Sequence, residues 1–351
     1  VLEIVALSLV LTATAATRSG FLPDKPSTWR LAHKLGPGSE LREKVIADWT
    51  LPGAARGEAP LTRAEAERLI DDPRAQLVYA DQTISIIAPS MLARQRKDHQ
   101  DLLKIFLRPE RIDTAERFYR AHRAALTRAQ ERHQVDPSVV VSILAFESNL
   151  GTTTGKYVAF NSFTSQTFFL EEANRIALRR KKEQNQIDQA KQRERVATIQ
   201  ERARRNLSAL VRISKARGID PLSMRSSWAG AIGYPQFLPA TLEWAEDGNG
   251  DGTIDLYNFD DSIASVASYL AASGYSASRQ KALWAYNHEQ AYVDGVAAFA
   301  DVLKKRIETA EADAGVAGDG GPRGDAADAG GADAGLGRDA GRDADRDVKD
   351  R

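Results

Sequence analysis

Residues 137–151 read Pro-Ser-Val-Val-Val-Ser-Ile-Leu-Ala-Phe-Glu-Ser-Asn-Leu-Gly, and they constrain the fold more than any other stretch of the chain. Asp136 stands in a cap position, Pro137 is tolerated in a first helical turn, and Gly151 suits a stop. The spacing predicts a helix between them, with Val140, Ile143, Leu144 and Glu147 on one face. Glu147 thus falls on the apolar, core-facing stripe and in the last turn, where the helix dipole disfavours a negative charge. Desolvation and dipole both push a carboxyl pKa up. A carboxylic acid kept protonated near neutral pH is what a general acid needs. The same pattern admits a surface glutamate ending a buried helix.

The rest of the chain extends the helical theme. Helical spacing dominates from about Asp98, with Phe118, Ala121, Ala125 and Ala129 three or four residues apart in a helix expected over Asp113–His133. Further helices are expected at Arg63–Ile70, Pro239–Ala245, Ser262–Ser273, Ser278–Ala285 and Ala291–Thr309. Residues 17–97 read as a proline-punctuated lead-in with at most short helices, and Gln76–Ala80 with Thr83–Ile87 as a small hairpin across Asp81-Gln82. The main domain is expected over 98–310, mainly α within an α+β class. It carries a charged helical arm at 171–205, basic by about five charges, whose last part turns amphipathic and docks. The arm reads as solvated, or more sharply as a surface for an acidic polymer or a partner protein helix.

The two ends read differently. Val1–Ala16 is an apolar run closing on an Ala-x-Ala pattern, which fits a secretory signal peptide. Residues 311–351 hold 11 acidic and 6 basic side chains among Ala and Gly, too little apolar surface to offset ordering, so a disordered acidic tail is expected. The formal net charge of zero, from 48 basic and 48 acidic residues, therefore sums an acidic tail and a basic body. With no cysteine, the chain cannot hold a disulfide, a thiolate metal site, a cysteine nucleophile or a lipid anchor on cysteine. Neutral total charge argues against nucleic acid as a partner. No P-loop, dinucleotide glycine fingerprint or Gly-x-Ser-x-Gly elbow occurs.

Two further motifs carry chemistry. Ser226-Ser-Trp-Ala-Gly-Ala-Ile-Gly-Tyr-Pro-Gln-Phe-Leu-Pro239 concentrates small residues and aromatics in a chain that is only 7% aromatic. Aromatic faces and amides suit sugar rings, although a tight packing turn would use the same residues. Asp247-Gly-Asn-Gly-Asp-Gly-Thr-Ile-Asp255 places oxygen ligands at alternate positions, with Gly at the sixth and Ile at the eighth, as in an EF-hand-like calcium loop. Its twelfth position is Asn258, and Asp260 or Asp261 would supply the missing carboxylate from a longer loop. An Asp/Gly-rich turn that binds nothing is the plainer alternative. Tyr286-Asn287 before the last helix is weak alone, and none of the five histidines, His288 included, has metal-ligand spacing.

Glu147-Ser-x-x-Gly, Ser227-x-Ala-Gly-Ala-x-Gly-Tyr-Pro-Gln-Phe-x-Pro239, the calcium loop and Tyr286-Asn287, in this order, resemble the B-type lytic murein transglycosylases. The resemblance covers about Asp98–Lys305. It implies a lysozyme-like fold and cleavage of peptidoglycan between N-acetylmuramic acid and N-acetylglucosamine, leaving a 1,6-anhydromuramoyl end. It implies Glu147 as the single catalytic acid and base, needing no partner carboxylate because the sugar's own C6 hydroxyl attacks. Ser227, Gln236 and Asn287 would contact the sugar, and Tyr234, Phe237 and Tyr286 would line the cleft. Asp247, Asn249, Asp251, the Thr253 carbonyl and Asp261 would hold a structural calcium ion. The expected setting is the periplasm, in a soluble form without a lipid anchor, where the partner of the arm would be a cell-wall protein. A muramidase-type hydrolase using the same Glu147 and a non-catalytic wall-binding scaffold are the rival readings.

Overall fold

In the computed structural model the described residues are 30–53, 55–77, 86–88, 106–179 and 188–318, with side chains to 312. Short helices α1 (Leu31–Lys34), α2 (Glu40–Thr50) and α3 (Arg63–Asp71) come first, then α4 (Pro109–Ala121), α5 (Arg123–His133) and α6 (Pro137–Ser148). Strand β1 (Tyr157–Val158) leads into α7 (Ala159–Arg179), followed by α8 (Gln189–Arg217) and β2 (Arg225–Ser226). A 3-10 turn at Pro239–Trp244, α9 (Phe259–Ala272), α10 (Arg279–Tyr286) and α11 (Gln290–Gly318) complete the order. Among the described residues the fold is mainly helical with one two-stranded antiparallel sheet, Tyr157 opposite Ser226 and Val158 opposite Arg225. Among the described residues no helix is long and apolar enough to cross a membrane. Val1–Glu308 is one unit and Thr309–Arg351 a second; the acidic tail beyond 318 and the signal-like segment 1–16 lie outside the described residues.

Local chemistry sets the ends of these helices. Side chains of Ser39, Asp136, Asp188, Asn258 and Ser278 each accept a backbone N–H at a helix start, and Thr62 with Glu65 forms a capping box. Gly218 ends α8 in the left-handed region. The single helix expected over Asp113–His133 is two, broken at His122 (φ −109°, ψ 21°), and Pro239–Ala245 winds as a 3-10 turn rather than an α-helix.

Helix α6 departs from the expected stripe in an instructive way. Every residue from Pro137 to Ser148 is buried, so the helix is enclosed on all sides. Leu126, Ile263, Val266, Leu270, Val296, Phe299 and Leu303 belong to the core that surrounds it. Its serines are satisfied locally, Ser138 Oγ donating to Asp136, Ser142 Oγ to the Ser138 carbonyl and Ser148 Oγ to that of Leu144.

The lead-in belongs to the body. Trp49 of α2 is 1% exposed and meets Phe160 of α7 edge-on at 5.9 Å between ring centroids. A second core gathers Leu31, Ile46, Trp49 and Ile70 with Phe163, Leu207, Leu210 and Phe237. A domain start at 98 would cut through this core. The hairpin expected at 76–87 lies mostly outside the described residues; of its described ends, Gln76 bridges to Arg30, and Ile86-Ile87 forms a turn. Where the arm at 171–205 is described, it docks. Helices α7 and α8 pack together over a small core of Phe169, Leu170, Ala173, Val196 and Ile199, and the Arg195 guanidinium donates to the Ile86 carbonyl (2.6 Å).

Candidate active site

Glu147 ends α6 inside the protein. It is 4% exposed, and the Tyr292 hydroxyl donates to its Oε1 across 2.7 Å. Burial pushes the carboxyl up to about 8, and the Tyr292 hydrogen bond opposes that rise only in part. Asn149, Leu150 and Gly151 then turn the chain through three successive left-handed residues (φ 48°, 53° and 81°). Gly151 is required there twice over, since a Cβ would also stand 2.7 Å from the Phe259 ring.

A cavity of about 190 Å³ opens beside Glu147, lined by Gln236, Phe237, Leu238, Thr241, Tyr269, Ala285, Tyr286 and His288. Three separated motifs thus converge: the end of α6, the Ser226–Pro239 turn and the end of α10. Glu147 is the one carboxylate among the described lining residues. Tight turn chemistry holds the middle motif. Ile232 and Phe237 pair backbone to backbone, and Gln236 takes a left-handed conformation (φ 53°) with its amide donating to the Gly233 carbonyl (2.7 Å).

The expected site residues divide into two groups. Gln236, Phe237 and Tyr286 line the cavity with Glu147. The Tyr286 hydroxyl donates to the Pro235 carbonyl (2.5 Å), tying α10 to the turn. Ser227 and Tyr234 are not among the lining residues. Ser227 Oγ accepts the Ala231 N–H at 3.1 Å and closes the turn, and Tyr234 stacks on Phe259 at 4.3 Å behind Gly151. Asn287, which follows α10, is not among the lining residues either; it is 2% exposed, and its Nδ2 is a buried donor with no partner among the described residues.

Sequence reasoning missed Tyr292 and Tyr269. Tyr292 lies parallel to Tyr286 at 6.5 Å, and Tyr269 meets Tyr286 edge-on at 5.2 Å, so the three rings form one aromatic wall. The hydroxyls of Tyr286 and Tyr292 are pushed well above the ordinary range by burial first and the Glu147 charge second. The available signal was a tyrosine at the start of the last helix in an aromatic-poor chain.

The Asp/Gly loop folds on its own amides. Asp247 Oδ1 accepts the N–H of Gly250 (2.6 Å) and Oδ2 that of Gly252 (2.8 Å); both glycines have positive φ. Asn249 and Asp251 hydrogen-bond each other, and Asp251 accepts the Thr253 N–H at 2.8 Å. Asp261, in the first turn of α9 and 1% exposed, accepts Gly248 N–H and Asp255 N–H at 2.9 and 2.7 Å. Asp260 instead pairs with Arg128 at 2.9 Å, so Asp261 is the carboxylate that closes the loop. The donor set is all oxygen, which suits a hard cation such as calcium. Among the described residues no three His, Cys, Asp or Glu side chains are gathered as a metal cluster.

Residues 58–313 match the family model of the transglycosylase SLT domain, and the chain belongs to that family. A curated relative, membrane-bound lytic murein transglycosylase B of Escherichia coli strain K12, is 28% identical over 191 residues, 52% of this chain and 44% of that protein. The chain therefore spans less than half the length of this relative. Among solved structures, the Escherichia coli lytic transglycosylase SLT35 in complex with calcium superposes with a TM-score of 0.55 at 18% identity, covering 77% of this chain and 94% of that one. SltB3 of Pseudomonas aeruginosa, in complex with NAG-anhNAM-pentapeptide, gives 0.54 at 19% identity, covering 79% and 80%. These likenesses establish the fold as that of the lytic transglycosylases.

Proposed function

We propose that the protein is a peptidoglycan lytic transglycosylase that cleaves the bond between N-acetylmuramic acid and N-acetylglucosamine, with Glu147 as its single acid and base. The observation that carries this reading is one buried carboxyl, raised to about 8, as the only described carboxylate on the cavity wall. Water-dependent glycosidases use two carboxylates flanking the bond. One group suffices where a hydroxyl of the same sugar attacks. Glu147 first gives its proton to the leaving glycosidic oxygen. As carboxylate it then takes the proton of the C6 hydroxyl, which closes the 1,6-anhydro ring. Gln236 and Asn287 contact the N-acetyl sugar, Phe237 and Tyr286 line its cleft, and Ser227 and Tyr234 hold the turn that presents them. Asn287 Nδ2, without a partner among the described residues, is a donor that an N-acetyl oxygen can satisfy. The family membership and the wall-active names of the relatives support the substrate class, and with it a periplasmic setting.

Mass spectrometry of the fragments released from purified sacculi tests the reaction. Anhydromuramoyl ends are expected; reducing ends would assign a muramidase-type hydrolase to the same Glu147.

The loop at 247–261 is proposed to hold a structural calcium ion through Asp247, Asn249, Asp251, the Thr253 carbonyl and Asp261. An ion bound only by the folded state at about 100 times its Kd stabilises by ~2.7 kcal/mol. For a chain of this size that raises Tm by roughly 4–5 °C. Calcium is expected to produce this rise in the wild type and none in Asp251→Ala. Equal melting curves with calcium and with chelator would refute the site.

A further inference from the structure

We infer that Trp284 and His288 form a stacking platform at the lip of the Glu147 cavity, a subsite for a neighbouring sugar ring of the glycan strand. This rests on the carbohydrate reading of the cavity and extends it outward. His288 lines the cavity, and its ring meets the Trp284 indole at 5.7 Å with the planes at 69°. Trp284 is 42% exposed, while the side chains that α10 buries are Ala282 and Leu283. The indole therefore stands outward from the helix, one side chain away from the cavity wall. In a T-shaped pair one ring offers only its edge, so His288 covers at most one indole face, and Trp284 remains 42% exposed.

A single exposed aromatic is unremarkable on a protein surface. Its place here is what matters. The cavity of about 190 Å³ is smaller than the ~300–1,000 Å³ that encloses a drug-sized ligand. A polymer that places one bond at Glu147 must leave across the lip, and His288 makes the platform continuous with that lip. The aromatics deeper in are already committed. Phe237 is 3% and Tyr292 4% exposed, and the Tyr286 ring is packed parallel to Tyr292 and against Tyr269. Trp284 is the ring with a face to offer, and a sugar's C–H face is the complementary surface.

The test compares wild type, Trp284→Ala and Trp284→Phe on solubilised peptidoglycan strands. Trp284→Ala is expected to raise KM about tenfold, the size of one aromatic contact, while turnover at saturation changes less than about twofold. Phe should return KM to within about threefold of wild type, and the melting temperatures should coincide because Trp284 is exposed. In the Glu147→Gln background, chitotetraose should quench tryptophan fluorescence, and Trp284→Phe should remove that quenching. A wild-type KM for Trp284→Ala, with the wild type digesting the strands, would overturn the platform and leave the Glu147 assignment standing. A wild type that leaves the strands intact would overturn the carbohydrate reading itself.

Discussion

Glu147→Gln is expected to reduce digestion of sacculi by about a thousandfold or more while making the protein more stable at alkaline pH. The amide keeps the shape of the side chain and an oxygen for the Tyr292 hydroxyl, which stands 2.7 Å away. It cannot give up or take a proton, and positioned proton transfer contributes ~10²–10⁴ in each step it serves. The stability change follows from linkage. Glu147 has its ordinary value of 4.5 in the unfolded chain and about 8 in the native protein. Between these values the unfolded chain has lost a proton that the native state retains, so stability falls as pH rises from about 4.5 to about 8 and levels off above. The full difference is on the order of 5 kcal/mol. Glutamine does not titrate. The variant's advantage in Tm should therefore be small near pH 5 and grow steadily to pH 8, as measured by thermal melts across that range. Parallel Tm curves would mean that Glu147 titrates normally, and retained digestion would remove it from the mechanism.

That combination of results would mark Glu147 as a group held at a thermodynamic cost for its chemistry, and part of its setting was legible in the sequence. The cap Asp136, Pro137, the run of Val and Ile and the stop at Gly151 are local signals; α6 starts where they predict and ends at Ser148, with Asn149 already left-handed, two residues before Gly151. Its enclosure on every face was not legible, because the residues that cover it, such as Leu126 and Phe299, come from elements far along the chain. The same reason hid the role of α2. Trp49 looks like one aromatic in a proline-rich lead-in until Phe160 is placed against it. The sheet had no signal to read, since two residues per strand cannot establish a period of two. In the Ser226–Pro239 motif the residue types were informative but their directions were not. Gln236 and Phe237 reach the cavity while Ser227 and Tyr234 serve the turn, a division set by backbone conformation at single residues. Tyr292 was invisible because its partner is 145 residues away.

Tyr292→Phe tests that last contact, and turnover should fall roughly 10–100-fold. The substitution removes one hydroxyl and keeps the ring that stacks on Tyr286 and meets Phe146 edge-on at 5.7 Å. The hydroxyl is the group that lowers the pKa of Glu147 against its burial. A hydrogen bond to a charged group is worth ~1.5–3 kcal/mol, and here it favours the ionised carboxyl. Its loss leaves the acid form untroubled and makes the carboxylate harder to form. In the proposed two-step reaction the first proton donation is then spared, and the state in which Glu147 must act as base becomes less accessible. The pH–rate profile should register this as an alkaline limb displaced upward by about one pH unit or more, with the melting temperature little changed at acid pH, where Glu147 is protonated in both states. A fall in turnover with an unmoved alkaline limb would show that Tyr292 shapes the cavity without tuning the acid. A displaced limb with full turnover would show that forming the carboxylate does not limit the reaction.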